Sequence, residues 1–188
     1  GYAVLQPRVT PSLPTDREAA LFQRVVSGPA SIDPYASAVS DVYQDLFGEG
    51  SYTGKGIYDV DAFEAALADR VGENTLLSHD LFEGLFARAG LATDIEVVAD
   101  HPARYEVAAA RQHRWARGDW QLLPWLMSRV PTANGTKIRN PLSPLARWKL
   151  FDNLRRGLVA PALLGLLLTS WLALPDNGIL VPLVLALV

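Results

Sequence analysis

The spacing of apolar and polar positions divides the chain into a mixed strand and helix region followed by an apolar one. YAVLQ at residues 2–6 reads as a strand, and IEVV at residues 95–98 as a second, short one. Three helix starts share one pattern, a capping oxygen followed three residues later by glutamate: Thr15 with Glu18, Asp61 with Glu64, and Asp80 with Glu83. In such a capping box the first side chain accepts from an exposed backbone N–H, and the glutamate reaches back. The helices so opened are expected to reach about Ser27, Val71 and Ala89, with Gly28, Gly72 and Gly90 placed to end them. Residues 104 to about 127 read as a long helix, and residues 130–141 as a loop rich in Pro, Asn, Gly and Thr. Ser143-Pro144 marks a further start, with proline at the first helical position. The alternation of strands with helices points to an α/β domain.

Beyond Pro144 the pattern changes. Leu145, Trp148, Phe151 and Leu154 fall on one side of a helix, with Arg147, Asp152, Arg155 and Arg156 off it. Residues 157–174, GLVAPALLGLLLTSWLAL, then form an uncharged apolar run of 18 residues, the length at which a transmembrane helix becomes a candidate. PDNG at 175–178 signals a turn, and ILVPLVLALV begins a second, truncated span. A run this long at this end of the chain is not a signal peptide. A basic amphipathic helix beside a span is expected to lie in the membrane interface, in preference to packing on the domain as an ordinary surface helix. Arg147, Lys149, Arg155 and Arg156 precede the span and nothing basic follows it, which places residues 1–156 in the cytoplasm by the positive-inside rule.

Composition refines this picture. The 188 residues suffice for one domain of ordinary size. The absence of cysteine removes disulfides, thiolate metal sites and cysteine nucleophiles. The chain opens on a strand without an initiator methionine and closes within an apolar stretch, so it is expected to be an internal fragment of a longer protein. The net charge of −3 conceals a polarity: residues 1–103 hold 6 Lys and Arg against 16 Asp and Glu, and residues 104–156 hold 11 against 3. An anionic partner belongs at the second block.

Three stretches offer chemistry. The glycine-rich segment 48–56, GEGSYTGKG, fails the phosphate-binding P-loop pattern at both ends, where Glu49 and Gly56 stand in place of glycine and Ser or Thr. It remains either a structural turn or a flexible one that shows backbone N–H groups, Tyr52 and Lys55 to a ligand. Asp80, beside His79, has a structural role as the first member of its capping box. A carboxylate at a helix N-terminus is also held ionised, as a general base requires. In RQHRWARGDW, residues 111–120, Arg111 meets Arg114 and Trp115 at i+3 and i+4, and Gln112 meets Trp115 at i+3. Guanidinium forks suit phosphate oxygens, and indole faces suit sugars or bases. The acidic first half and the adjoining apolar run argue against nucleic acid, whereas a nucleotide sugar fits, because it presents a pyrophosphate and a hexose together.

TLLSHD at residues 75–80, then QHRWARG at 112–118, followed by a basic helix and apolar runs, resembles the second half of the processive membrane glycosyltransferases related to cellulose synthase. Those enzymes carry a T-E-D motif and a Q-x-x-R-W motif in that order. The wider wording, GYAVLQPRVTPSLPTDREAALFQR and DPYASAVSDVYQDLFGEGSYTGKGIYDVDAFEAAL, is similar to the cyclic β-1,2-glucan synthases over nearly the whole chain. The chain departs from the motifs at Ser78 and His79, which replace the first two letters of T-E-D, and at Arg111, with glutamine one residue late at Gln112.

The resemblance implies the C-terminal, acceptor-side half of a GT-A-type domain at residues 1–128. A loop and interface helix would fill residues 129–156, and transmembrane helices residues 157–188. It implies inverting transfer of glucose from UDP-glucose to a growing cyclic β-1,2-glucan, in a bacterial inner membrane. Asp80 would be the catalytic base, and Arg111, Gln112, Arg114, Trp115, Lys55 and Tyr52 would bind UDP and sugar. The divalent cation, Mg²⁺ or Mn²⁺, would be held by a D-x-D motif upstream of Gly1, with no metal ligand in this segment. Membrane lipid and the rest of the polypeptide, including a downstream phosphorylase-like domain, would be its partners. A β-1,4 or β-1,3 glucan synthase, or a non-catalytic membrane-tethered sugar- or nucleotide-binding domain, would satisfy the same short motifs.

Overall fold

The computed structural model describes residues 1–12, 20–26, 42–72, 74–77, 80–100 and 102–173. The Thr15 capping box, Ser27, Gly28, Ser78, His79 and the truncated second span lie outside them. The chain divides into two units, Gly1–Leu150 and Phe151–Val188.

In the first unit, β1 (Val4–Pro11) is flanked by β2 (Ile57–Tyr58), antiparallel, and by β3 (Ala89–Ala99), parallel. The β1–β3 register runs from Val4–Ala89 to Pro7–Ala92 and resumes at Arg8–Glu96. Pro7 has no N–H to give the ladder, so the break falls at the residue least able to continue it. The short strand expected at 95–98 is thus the end of a longer one. Helices α1 (Leu21–Val26), α2 (Val42–Phe47), α3 (Val60–Leu67), α4 (Asp80–Ala87) and α5 (Tyr105–Gln121) accompany the sheet. A 3₁₀ turn, Leu123–Leu126, ends the helical stretch expected to 127. The expected loop at 130–141 contains a hairpin, β4 (Arg129–Pro131) with β5 (Lys137–Arg139).

The two capping boxes within the described residues correspond to helices but are misplaced. Asp59, not Asp61, caps α3: its Oδ1 accepts from the N–H of Ala62 at 2.9 Å. Asp80 is itself the first residue of α4, one position inside the helix. The helix ends also differ, because α3 stops at Leu67 and α4 at Ala87, with left-handed turns taken by Asp69 (φ 59°) and Arg88 (φ 54°). Aspartate tolerates this region. Arg88 is held there over the Tyr2 ring at 5.1 Å. Gly90 ends no helix; it lies in β3, where an added Cβ would fall 2.8 Å from the Tyr2 ring.

Two apolar clusters support this unit. Val4, Tyr52, Ala87 and Ala89 join β1, β3 and α4 to the glycine-rich loop. Phe82, Leu122, Trp125, Val130, Leu142, Ala146 and Leu150 form the other. Phe82 sits edge-on to Trp125 at 4.6 Å and to Phe86 at 5.0 Å.

Helix α6 (Pro144–Ala173) begins as expected, with the Ser143 hydroxyl accepting from the N–H of Ala146 at 3.1 Å. It then runs 30 residues without a break, so the expected interface helix and span are one element. In its first turns the buried positions are Ala146, Lys149 and Leu150, following Leu142, whereas Trp148 is 52% exposed. The face turned to the domain in these turns is therefore not the Leu145–Trp148 stripe. In the second unit, the rest of α6 presents Leu158, Val159, Leu163, Leu164, Leu168 and Leu172 without cover. By length and composition α6 can cross a membrane, and almost none of its apolar stretch is buried as a soluble core helix would be. The hydroxyls of Thr169 and Ser170 bond back to the carbonyls of Gly165 and Leu167, which satisfies them within the helix.

Candidate functional site

The glycine-rich loop leads from α2 to β2 and is pinned along its length. The N–H of Gly48 bonds to Gln44 O at 3.0 Å, and the Tyr2 hydroxyl donates to Gly48 O at 2.8 Å. Gly50 N–H reaches Ala89 O on β3 at 2.8 Å. Thr53 N–H reaches the Oε1 of Gln6 at 2.9 Å, and Gln6 is fully buried in β1, its own amide donating to Pro7 O. Lys149 of α6 donates to Glu49 O at 3.2 Å and to Gly50 O at 3.0 Å. The turn is thus hydrogen-bonded to β1, β3 and α6.

What the turn approaches is Asp80. A Cβ added at Gly54, which has φ +82°, would lie 2.8 Å from the Asp80 carboxyl carbon and from one of its oxygens. Only glycine can hold this backbone angle and leave room for the carboxylate. One turn along α4, a Cβ at Gly84 would fall 2.5 Å from the Cβ of Tyr52. The loop thus lies directly on the bare side of the helix. Tyr52 is 7% exposed and belongs to the apolar cluster, so the expectation that the loop displays it to a ligand is corrected. Burial raises the pKa of its phenol, and the charges of Asp80 and then Glu83 raise it further. Lys55, next to Gly54, is exposed. Asp80 stands in the first turn of α4, at the positive end of the helix dipole, while Phe82 anchors that turn in the core.

The cationic and aromatic stretch lies on α5. The Arg111 guanidinium covers the Trp115 ring at 4.8 Å, the i+4 contact expected from spacing. Burial and then the neighbouring Arg114 lower the pKa of Arg111. Among the described residues, neither Arg111 nor Arg114 has an ion-pair partner. Gln112, His113 and Arg114 are exposed, and Trp115 is half-buried. At the end of α5, the Gln121 Oε1 accepts from Leu77 N–H at 2.9 Å, tying this helix to the segment that leads into Asp80.

Tyr52, Gly54 and Asp80 therefore form one group, and Arg111, Arg114 and Trp115 another, with Gln121 as the tie between their elements. Gln6, Gly84, Gln121 and Lys149 have roles that sequence reading missed. Lys149 alone left a local signal, a cation at the position where the apolar stripe Leu142, Ala146, Leu150 has its fourth member. Among the described residues, no three His, Cys, Asp or Glu side chains cluster so that they could hold a metal ion.

No protein-family model matches the chain. It is similar to the cyclic beta-(1,2)-glucan synthase NdvB of Rhizobium meliloti (strain 1021), with 58% identity over 171 residues. The match takes in 91% of this chain and 6% of that protein. The chain is a segment corresponding to a small part of a much longer synthase.

Proposed function

From a segment of cyclic β-1,2-glucan synthase sequence, we propose a part of an inverting membrane glycosyltransferase that passes glucose from UDP-glucose to a growing β-1,2-glucan. The observation that carries this reading is the 58% identity to NdvB across nearly the whole chain. Asp80 takes the proton of the acceptor hydroxyl as its oxygen bonds to the anomeric carbon. The bond from that carbon to UDP breaks, and UDP leaves with the electron pair. Arg114 and Arg111, helped by Lys55, offset the charge gathering on the diphosphate. Trp115 stacks on the acceptor sugar, and Gln112 hydrogen-bonds at its edge. Two features support the assignment: the carboxylate stands over a residue with no side chain, and the two guanidiniums sit together without a carboxylate among the described residues.

In the same reading, residues 1–128 are the acceptor-side half of a GT-A-type domain, and the part of α6 that follows residue 156 spans the inner membrane, with residues 1–156 on the cytoplasmic side. The divalent cation that such a reaction uses falls to residues outside this segment, and no step here is assigned to it. The test is linkage analysis of the product made from UDP-glucose by membranes containing the full-length protein. A β-1,2-linked glucan is expected. A β-1,4 or β-1,3 product would reassign the enzyme, and the absence of any glucose incorporation would favour a sugar- or nucleotide-binding domain without turnover.

A further inference from the structure

Lys149 is 1% exposed. A lysine ammonium is seldom sequestered to that degree, because removal from water is costly unless several acceptors replace the lost hydration. Here the replacement includes the carbonyls of Glu49 and Gly50 at 3.2 and 3.0 Å, and the ring of Tyr43 at 4.8 Å. An apolar side chain of similar length would cover the neighbouring residues without that cost. The two carbonyls are thus among the groups that the buried charge serves. These carbonyls belong to the first half of the loop, held besides by Gly50 N–H on Ala89 O. Its second half is held by Gln6 on Thr53. Between the two anchors lies Tyr52, seated on Gly84, and directly after the second comes Gly54, against Asp80.

We propose that Lys149 is a positioning residue for the Asp80 site. Its ammonium, closed over the Glu49 and Gly50 carbonyls, sets how the Tyr52–Gly54 turn lies against the Asp80 carboxylate. The first turns of the helix that goes on to the apolar stretch are thereby coupled to the proposed base. This inference rests on the reading of Asp80 as that base, and its test separates the two.

Lys149→Met and Lys149→Arg in the full-length protein are compared by hydrogen exchange and by glucose-transfer kinetics. With Lys149→Met, exchange in residues 48–56, where the Gly50 and Thr53 amides are bonded, rises at least tenfold while Phe82–Ala87 stays within twofold. The kcat for transfer falls at least tenfold, with KM for UDP-glucose within about threefold. Lys149→Arg, whose guanidinium can also donate to both carbonyls, recovers a large part of both. Unchanged exchange in 48–56 overturns the proposal. So does a rise shared equally by Phe82–Ala87, raised exchange with a wild-type kcat, or failure of both variants to accumulate, which would make Lys149 a general determinant of folding. Raised exchange in 48–56 with no glucose transfer even by wild type would sink the transferase reading and leave the clamp standing.

Discussion

Gly84→Ala places one methyl group where α4 and the glycine-rich loop touch. The new Cβ would stand 2.5 Å from the Tyr52 Cβ and 3.3 Å from its backbone nitrogen. Carbon atoms rest at about 3.5–4.0 Å, so the loop must retreat by roughly 1–1.5 Å. Overpacking of this kind costs about 1–3 kcal/mol. Replacing glycine by alanine inside a helix returns about 1 kcal/mol, leaving a net destabilisation of roughly 0–2 kcal/mol. The consequence for the site is larger, because a misplacement on the order of 1 Å can cost about 100-fold in rate. Membranes bearing Gly84→Ala should therefore accumulate the protein within about twofold of wild type, yet incorporate glucose about 100-fold more slowly. Wild-type incorporation together with unchanged hydrogen exchange in residues 48–56 would refute the reasoning, since the loop could then leave Gly84 without consequence for Asp80.

Asp80→Asn should fold and bind UDP-glucose nearly as wild type while losing almost all transfer; a comparable elongation rate ends the base assignment. The matched control is Asp59→Asn, which keeps the observed α3 cap and should be close to silent, whereas Asp59→Ala should cost about 1 kcal/mol. Trp115→Ala should cut polymer synthesis with little loss of accumulated protein, because the ring is only half-buried under Arg111; poor accumulation with normal activity per folded molecule would make Trp115 a packing residue. The Tyr52 phenol titrates above an ordinary tyrosine, so its contribution to stability is complete below about pH 10 and fades as pH rises through the folded value. Difference absorbance against Tyr52→Phe should show this, and Asp80→Asn should lower the transition only in part, since burial is the larger cause; no change on removing the Asp80 charge would contradict the contact. A reporter active only in the periplasm should be active when fused after Asn177 and silent after Asn140, and the reverse pattern would overturn the proposed topology.

Local patterns in the sequence were readable where the physics is local. Ser143 before Pro144 announced its helix, and Arg111 met Trp115 because four residues make one turn. Asp61 with Glu64 signals a helix start near α3, but the cap is Asp59, which has no glutamate three residues on and is selected by the fold. Arg88 shows why the helix ends were misjudged, since a ring and an acid brought from elsewhere let arginine take the turn expected of glycine. The proposed base was legible through resemblance, whereas its surroundings were not. Gly54 meets Asp80, Gln6 meets Thr53, and Lys149 meets Gly50 across long stretches of chain, and no periodicity encodes such meetings. A lysine beside an apolar run reads as a headgroup anchor until its carbonyl partners are seen.

The parallel pairing of β1 with β3 has a consequence for how the protein is made. Val4 pairs with Ala89 and Pro11 with Ala99, so β1 leaves the ribosome long before β3 exists. Until then the edge that β3 takes is open to wrong pairing. Lys149 is translated later still, a hundred residues after the Glu49 carbonyl it holds. At about 5–20 residues per second, residues 100–149 take roughly 3–10 s to synthesise. For that interval a nascent chain can possess the sheet, α4 and Asp80 while the loop remains unclamped. The closing residue then arrives just ahead of the apolar run at residues 157–173. Birth order is thus sheet, then clamp, then apolar helix, and a pause in translation between Ala99 and Lys149 would lengthen the one stage at which Asp80 has its carboxylate but not its setting.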